Sequence, residues 1–267
     1  MNPVRSWLYA PGHNERLLAK VFDSDADEPL LDLEDAVPPD RKEVARRLVS
    51  EAISTRPAWV RINQPMTPIC ELDLNAVARN AKGLRLPKVE RAAEVQWVRD
   101  RAPGVDLSCS IETARGVMAA FEIAMSDGVR NLVYGGVDMC LDLGFDATTT
   151  ESTLYVRSHL VVVSRAARIG PPIDGVWTDL ADLGGLRKSA EGARSLGFFG
   201  KSALHPRQVE IINQVFTPTD EQVSWARSVM SAFEASGGSA TTTESGEFVD
   251  LPIAERARRV LEIVGAK

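Results

Sequence analysis

The chain has 267 residues, 44% of them hydrophobic and 25% charged, an ordinary globular composition that excludes disordered and fibrous classes. Thirty-one Lys and Arg against 37 Asp and Glu leave a net charge of −6 with no long run of like charge, which argues against a nucleic-acid partner. No apolar run reaches membrane length, MNPVRSWLYAPG lacks a signal-peptide profile, and the scattered Cys70, Cys109 and Cys140 fit a reducing compartment, so a cytoplasmic location is expected.

Short strand-like runs recur at Ser6–Ala10, Pro29–Leu33, Ala58–Ile62, Gly83–Leu86, Asp106–Ile111, Asn131–Tyr134, Ile173–Val176 and Phe198–Gly200, each followed by a stretch of helical periodicity. Their starts lie about 25 residues apart, with one wider gap before Ile173. Such alternation predicts parallel βαβ units, and eight of them predict a (β/α)8 barrel over residues 1–215. An open doubly wound sheet fits less well, because the first strand-to-helix turn, APGHNER, has no dinucleotide fingerprint. Pro39-Asp40 opens a helix over Arg41–Thr55, Thr113 stands where an N-cap precedes Ala114–Met125, and Gly128, Gly170 and Gly197 stop helical segments. Residues 216–267 read as a C-terminal helical extension: a helix over Asp220–Ala235, a flexible linker over 236–246, and a last amphipathic helix near Pro252–Val264. The tail is a candidate lid or subunit-exchanging arm, and equally a helix that seals one end of a barrel.

In a barrel of this kind the chemistry stands at the C-terminal strand ends. Those ends carry His13, the run Asp32-Leu33-Glu34-Asp35, Arg61 with Asn63, Lys88, Glu112, Gly135-Gly136-Val137-Asp138, Lys201 and His205. Singly, each has a plain structural reading. Asp32, Glu34 and Asp35 serve as caps or as ion-pair partners of Arg61 and Lys88, and the lysines as solvated charges. Together they bring acids and bases to one rim. Glu112 and Asp138, on neighbouring strand ends and without a histidine or cysteine partner, suit a hard cation such as Mg2+, which takes one or two carboxylates and leaves positions for water and substrate. Arg61 is placed to clamp a substrate carboxylate. Gly135 and Gly136 allow close backbone approach to a ligand. With only His13, His159 and His205 in the chain, a three-histidine zinc site is disfavoured.

The segments RSWLYAPGHNER (5–16), LLDLEDAVPPDRKEVAR (30–46), VRIN (60–63), RLPKVE (85–90), IETARGV (111–117), YGGVDMCLDLG (134–144), PIDGVWTDLADLGGLRKSAEGARSLGFFGKSALHP (172–206) and GEFVDLP (246–252) together resemble the citrate lyase β-subunit and malyl-CoA lyase family, within the HpcH/HpaI aldolase group. The resemblance runs in order over essentially the whole chain. It implies a TIM barrel with a C-terminal extension, assembled as homotrimers or dimers of trimers. It implies Mg2+ on Glu112 and Asp138, a keto- or hydroxy-acid carboxylate on Arg61, and Glu34 and Asp35 orienting Arg61 or a metal-bound water. Lys88, Gly135 and Gly136 would line the substrate, Lys201 and His205 would lie near the nucleotide of a thioester carrier, and Asp250 would reach a neighbouring subunit's site for proton transfer. The implied activity is cleavage or formation of a 3-hydroxyacyl thioester such as malyl-, citramalyl- or citryl-CoA. The alternatives are thioester hydrolysis or synthesis on such a substrate, or a β-type subunit that needs an acyl carrier protein. Asp27-Glu28-Pro29, His13-Asn14 and Val137 depart from the family pattern, which bears on acyl size and carrier rather than on the metal and carboxylate set.

Overall fold

A computed structural model of the chain describes residues 4–145 and 150–265. Contacts divide it into two compact units, one over Val4–Asn213 and one built on Gln214–Lys267.

The first unit alternates strand and helix in chain order: β1 (Ser6–Pro11), α1 (Glu15–Val21), β2 (Glu28–Asp32), a 3-10 turn (Pro39–Arg41) running into α2 (Lys42–Thr55), β3 (Trp59–Arg61), α3 (Pro68–Val77), β4 (Gly83–Leu86), α4 (Ala92–Arg101) and β5 (Asp106–Ile111). Then follow α5 (Ala114–Met118), α6 (Ala120–Ala124), β6 (Val129–Tyr134), α7 (Gly136–Leu143), α8 (Thr150–Ala166), α9 (Leu183–Leu196), β7 (Lys201–Ala203) and α10 (Pro206–Phe216). The seven strands form one parallel sheet in the order β6-β5-β4-β3-β2-β1-β7.

The two edges of this sheet meet across Ile173 and Asp174. Val133 bridges Ile173, and Asp174 bridges Lys201. The Tyr134 N–H donates to the Ile173 carbonyl, and the Ser202 N–H to that of Asp174. The ring therefore closes, and the eighth stave is reduced to two residues. Pro171 and Pro172 lack the N–H groups that would extend it backward. Gly175, packed against the Tyr134 carbonyl, turns the chain out of the wall. The last strand begins after Phe198–Gly200 rather than within it, because Gly200 has a φ of 96° and its backbone lies against the Val4 and Arg5 carbonyls. The predicted helix over Ala114–Met125 breaks into α5 and α6 at Ala119, whose φ and ψ of −99° and 5° leave the helical region.

Alternation along the strands sends one set of side chains inward. Trp7, Leu30, Trp59, Val133 and Ile173 form a buried cluster across the ring, with the Trp7 and Trp59 rings edge-to-face at 5.1 Å. Gly83 faces them because a Cβ there would enter the Trp59 ring.

The second unit holds α11 (Asp220–Ala235), two short strands β8 (Thr241–Thr242) and β9 (Phe248–Val249), and α12 (Leu251–Gly265). Ala226, Val229 and Phe233 of α11 pack with Val249, Ala254 and Ala257. Where the sequence suggests a flexible linker, β8 and β9 pair as an antiparallel hairpin. Its turn closes through the Thr243 backbone with Gly246 and Glu247, and Thr243 is buried. Among the described residues no helix is long and apolar enough to cross a membrane.

Candidate active site

The C-terminal ends of β2 to β6 converge on one cluster of charges. Asp32, the last residue of β2, is fully buried and holds Arg61 at the end of β3. The Arg61 Nε and Nη2 donate to Asp32 Oδ1 and Oδ2 at 2.7 and 2.6 Å. Its Nη1 pairs with Glu34 Oε2 at 2.9 Å. A guanidinium has five N–H groups. Two of them donate to Asp32 and Glu34 stands against Nη1 as an ion-pair partner, which leaves N–H groups on the terminal nitrogens for an incoming carboxylate. Burial works against the Arg61 charge, but Tyr9, Asp32 and Glu34 outweigh it and keep the group firmly protonated. Asp32 also accepts the backbone N–H groups of Glu34 and Ala36, so the turn after β2 wraps around a single carboxylate.

The loop carrying Glu34 and Asp35 is pinned from below by Lys42, whose Nζ donates to the carbonyls of Leu33 and Glu34 and to Asn63 Oδ1. From above it meets Lys88, which donates to Glu34 Oε1 at 2.5 Å and Asp35 Oδ2 at 3.0 Å and stands 3.9 Å from Asp138 Oδ1. Lys88 has a φ of 52°, a left-handed backbone for a residue with a Cβ. Such strain persists only where the surroundings impose it. Burial opposes the Lys88 charge, yet its two carboxylate partners raise its pKa. Glu34 is raised by burial against the pull of Arg61 and Lys88. Asp35, more open to water, is lowered by Lys88 in spite of its partial burial.

Glu112 follows β5 directly and is 5% exposed. Burial first, then the charges of Asp138 and Glu34, push its carboxyl up to about 7. It fits beside Gly135, where any Cβ would overlap its side chain. Gly135 and Gly136 lead into α7, which presents Asp138 in its first turn. Thr113 caps α5 through the Gly116 N–H, as its position predicts.

Arg85, not singled out from the sequence, sits inside the barrel with no solvent exposure. Its Nη1 reaches Ser202 Oγ at 3.1 Å across the ring, its Cζ lies 4.7 Å from the Trp7 ring centre, and its Nε and Nη2 have no partner. Burial lowers its pKa, and Tyr9 and Glu112 oppose that. The sequence signal was present in GLRL: a charged residue at an inward position of an otherwise apolar strand.

Asp32, Glu34, Asp35, Glu112 and Asp138 thus face Arg61, Lys88, Lys42 and Arg85, an excess of carboxyl groups over cations that favours a metal ion. Among the described residues no three carboxylate, histidine or cysteine side chains form a closed metal cage. Two carboxylates with open positions are the donor set Mg2+ takes when water and substrate complete its shell. Glu112 is buried and has no hydrogen-bond partner among the described residues, so the residues present fit that ion.

The other expected site residues have partners of their own. Lys201 is the first residue of β7, 2% exposed, and its Nζ is bound to Asp174 Oδ2 and Ser189 Oγ in the layer between wall and helices. The strand begins later than expected, which moves Lys201 from the rim into the wall. His205 is exposed and accepts the Arg207 N–H on Nδ1. Asp250, in the second unit, caps α12 by accepting the Ile253 N–H at 3.2 Å. His159 stacks on Tyr155 at 5.7 Å along α8. Cys70 and Cys109 are buried, and burial raises both thiols to about 12, so neither is poised as a nucleophile.

Comparison with known proteins places these features among relatives. The family model of the HpcH/HpaI aldolase/citrate lyase family matches residues 5–206. The chain is 36% identical over 239 residues to a (3S)-malyl-CoA thioesterase of Cereibacter sphaeroides, covering 87% of this chain and 84% of that protein. It is 32% identical over 283 residues to the citrate lyase subunit beta of Leuconostoc mesenteroides subsp. cremoris, covering 98% and 93%. The crystal structure of CitE from Mycobacterium tuberculosis in complex with magnesium, acetoacetate and coenzyme A superposes with a TM-score of 0.85 at 30% identity, covering 98% of each chain.

Proposed function

The chain belongs to the HpcH/HpaI aldolase/citrate lyase family, and on that premise we propose that it is a Mg2+-dependent carbon–carbon lyase. It cleaves, or in reverse forms, a 3-hydroxyacyl thioester such as malyl-, citramalyl- or citryl-CoA, giving an acyl thioester and a 2-keto acid. The observation that carries this reading is the anionic cluster of Glu34, Glu112 and Asp138 beside the Arg61 guanidinium, which Asp32 holds through Nε and Nη2. A magnesium, an acetoacetate and a coenzyme A bound to one structural relative support it.

Glu112 and Asp138 hold the metal, which when bound polarises the oxygen that gains or loses carbonyl character. Arg61 grips the carboxylate of the keto-acid portion through its free fork, and Asp32 and Glu34 fix the plane of that fork before substrate arrives. Glu34 and Asp35 hold Lys88 over Asp138, and Lys88 with the open backbone of Gly135 and Gly136 borders the substrate. Breaking the bond requires a base for the hydroxyl proton and an acid for the carbon of the departing acyl thioester. We assign that proton traffic to Asp250, supplied by a neighbouring subunit. Lys201, buried in the wall, acts at most through Asp174 on the position of the eighth stave, and the exposed His205 is the part of that loop open to a carrier nucleotide.

Assembly as a homotrimer or hexamer is part of the same reading. Met118, Met125, Val137, Leu141, Tyr155 and Val162 on α5 to α8 are all more than half exposed, an apolar surface that an interface between copies would cover. The free cysteines fit the cytoplasm.

The test is a coupled assay of keto-acid release from malyl-, citramalyl- and citryl-CoA with and without Mg2+. Metal-dependent release of glyoxylate, pyruvate or oxaloacetate establishes the lyase. The thioesterase among the relatives favours one second reading, hydrolysis: free CoA and hydroxy acid without a keto acid would select it. Inertness on every CoA ester, with turnover restored by an acylated carrier protein, would select a β-type subunit.

A further inference from the structure

Helix α3 buries Cys70, Asp73, Leu74 and Val77 along one face, and Asp73 is the charged member of that otherwise apolar stripe. Its side chain has no solvent exposure. A carboxylate is costly to bury, and for stability alone an apolar residue at such a point often serves as well. The acceptors of Asp73 are put to use at the rim of the barrel. Its Oδ2 accepts from the Asn63 backbone N–H at 2.9 Å and from Asn63 Nδ2 at 2.6 Å, and its Oδ1 from Arg46 Nη1 at 3.3 Å. Asp73 therefore takes hold of the chain just beyond Arg61, where it leaves β3.

The orientation of the Asn63 amide follows from its partners. A carboxylate only accepts and an ammonium only donates. Asp73 and the Leu33 carbonyl accept from the Nδ2 side, so Oδ1 faces Lys42, whose Nζ donates to it at 2.8 Å. Lys42 also donates to the Leu33 and Glu34 carbonyls at 2.6 and 2.7 Å, which uses all three of its N–H groups. A reversed amide would set its NH2 against the ammonium and loosen the clamp on the Glu34 turn. Glu34 is the Nη1 partner of Arg61. We infer that Asp73 is a positioning residue for substrate binding: through Asn63 and Lys42 it fixes the turn that carries Glu34, and through the Asn63 N–H the strand end that carries Arg61, so the guanidinium is oriented before a substrate carboxylate arrives. The inference rests on Arg61 as the carboxylate grip of the proposed lyase.

The experiment compares Asp73→Asn, Lys42→Gln and Ser50→Ala in the full-length protein. Ser50 is the control, because its Oγ joins α2 to α3 at the Ala76 carbonyl, 2.9 Å away, without touching Asn63. Asp73→Asn sets a donor among the donors that the carboxylate accepted, and Lys42→Gln breaks the relay at its partly exposed end. In both variants KM for the thioester is expected to rise by about tenfold or more, and in Ser50→Ala to stay at the wild-type value. A loss of stability alone would lower the active fraction at unchanged KM. The Arg61 Nε–H signal of 15N-arginine-labelled protein, assigned with Arg61→Lys, reads the same position without turnover. It is expected to shift in Asp73→Asn and Lys42→Gln and to stay in place in Ser50→Ala. A wild-type KM or an unmoved Arg61 signal in Asp73→Asn overturns the assignment, as does an equal change in Ser50→Ala. If Asp73→Asn does not fold, an unmoved signal in Lys42→Gln overturns it. A wild-type protein that cleaves no thioester sinks the lyase reading instead, and the Arg61 signal still decides the role of Asp73.

Discussion

The side chain of Glu112 occupies the space that a Cβ on Gly135 would need. A built Cβ there overlaps the Glu112 Cγ and lies 2.9 Å from both its Cδ and its Oε1. The glycine at the end of β6 therefore shapes the position of a carboxylate at the end of β5, and a substitution at one is read out at the other.

Gly135→Ala is accordingly expected to displace the Glu112 carboxylate and weaken Mg2+ binding by about 10- to 100-fold, the range seen when groups that orient a ligand are lost. A Mg2+ titration followed by a thermal-shift measurement checks this. Wild-type affinity in the variant would show that Glu112 is not a metal ligand.

The raised pKa of Glu112 gives a pH dependence with a definite sign. In the folded, metal-free protein its carboxyl sits at about 7, above the ordinary value of 4.5. The folded state therefore retains a proton that the unfolded state has released between those values. The associated stability is complete below about 4.5 and is lost as pH rises through 7, on the order of 1–3 kcal/mol. Glu112→Gln removes that loss, so the metal-free variant is more stable than wild type above pH 7 and gains nothing from Mg2+. Denaturant melts across this pH window, with and without the ion, test both halves.

Arg61→Lys keeps a positive charge but loses the fork. Turnover is expected to fall by about 100-fold or more, with KM for the thioester raised, since both orientation and carboxylate grip depend on the planar group. Arg61→Ala additionally leaves Asp32 buried without its partner and destabilises the fold by about 3–5 kcal/mol. Steady-state kinetics and chemical denaturation separate the two effects.

Lys88 combines a left-handed backbone with a cationic head. Lys88→Gly relieves the backbone and is expected to be about 1 kcal/mol more stable than Lys88→Ala, while both variants lose the cation beside Glu34, Asp35 and Asp138 and so lose activity alike. Equal stability of the two would remove the strain argument.

Asp250→Asn is expected to lower kcat far more than it raises KM. Mixed oligomers of Asp250→Asn and Arg61→Ala chains recover part of the activity if the acid of one copy serves the site of another. Verified mixed oligomers without recovery would place the tail's role elsewhere.

The barrel was legible because burial on both faces writes parallel strands as short apolar runs, and their spacing reports the intervening helices. β4 and β5 fall on the expected residues, and β1, β2 and β3 end within one residue of expectation or start within one of it. The candidate site was legible because rim residues interrupt those runs with charge: Asp32, Arg61, Glu112 and Asp138 each stand where an apolar segment stops. The eighth stave was less legible. Its two pairing residues lie between a proline pair and a glycine, and a bridge to β6 and β7 is a long-range fact that local pattern does not carry. The hairpin over 241–249 was hidden in the same way, because its Thr, Gly and Ser residues read as linker until their cross-strand partners are known.

The sequence by itself determined the order of elements, the closed α/β architecture and the residue types at the rim, since these follow from periodicity and from the cost of burying a charge. Only the tertiary structure decided how those charges are used. It committed two N–H groups of Arg61 to Asp32 and set Glu34 against its Nη1, took Lys201 out of the rim and into a buried pair with Asp174, and brought Arg85 into the barrel near Glu112. Each of these depends on distances between strands far apart in the chain, and electrostatic energies are set by distance and burial rather than by sequence separation.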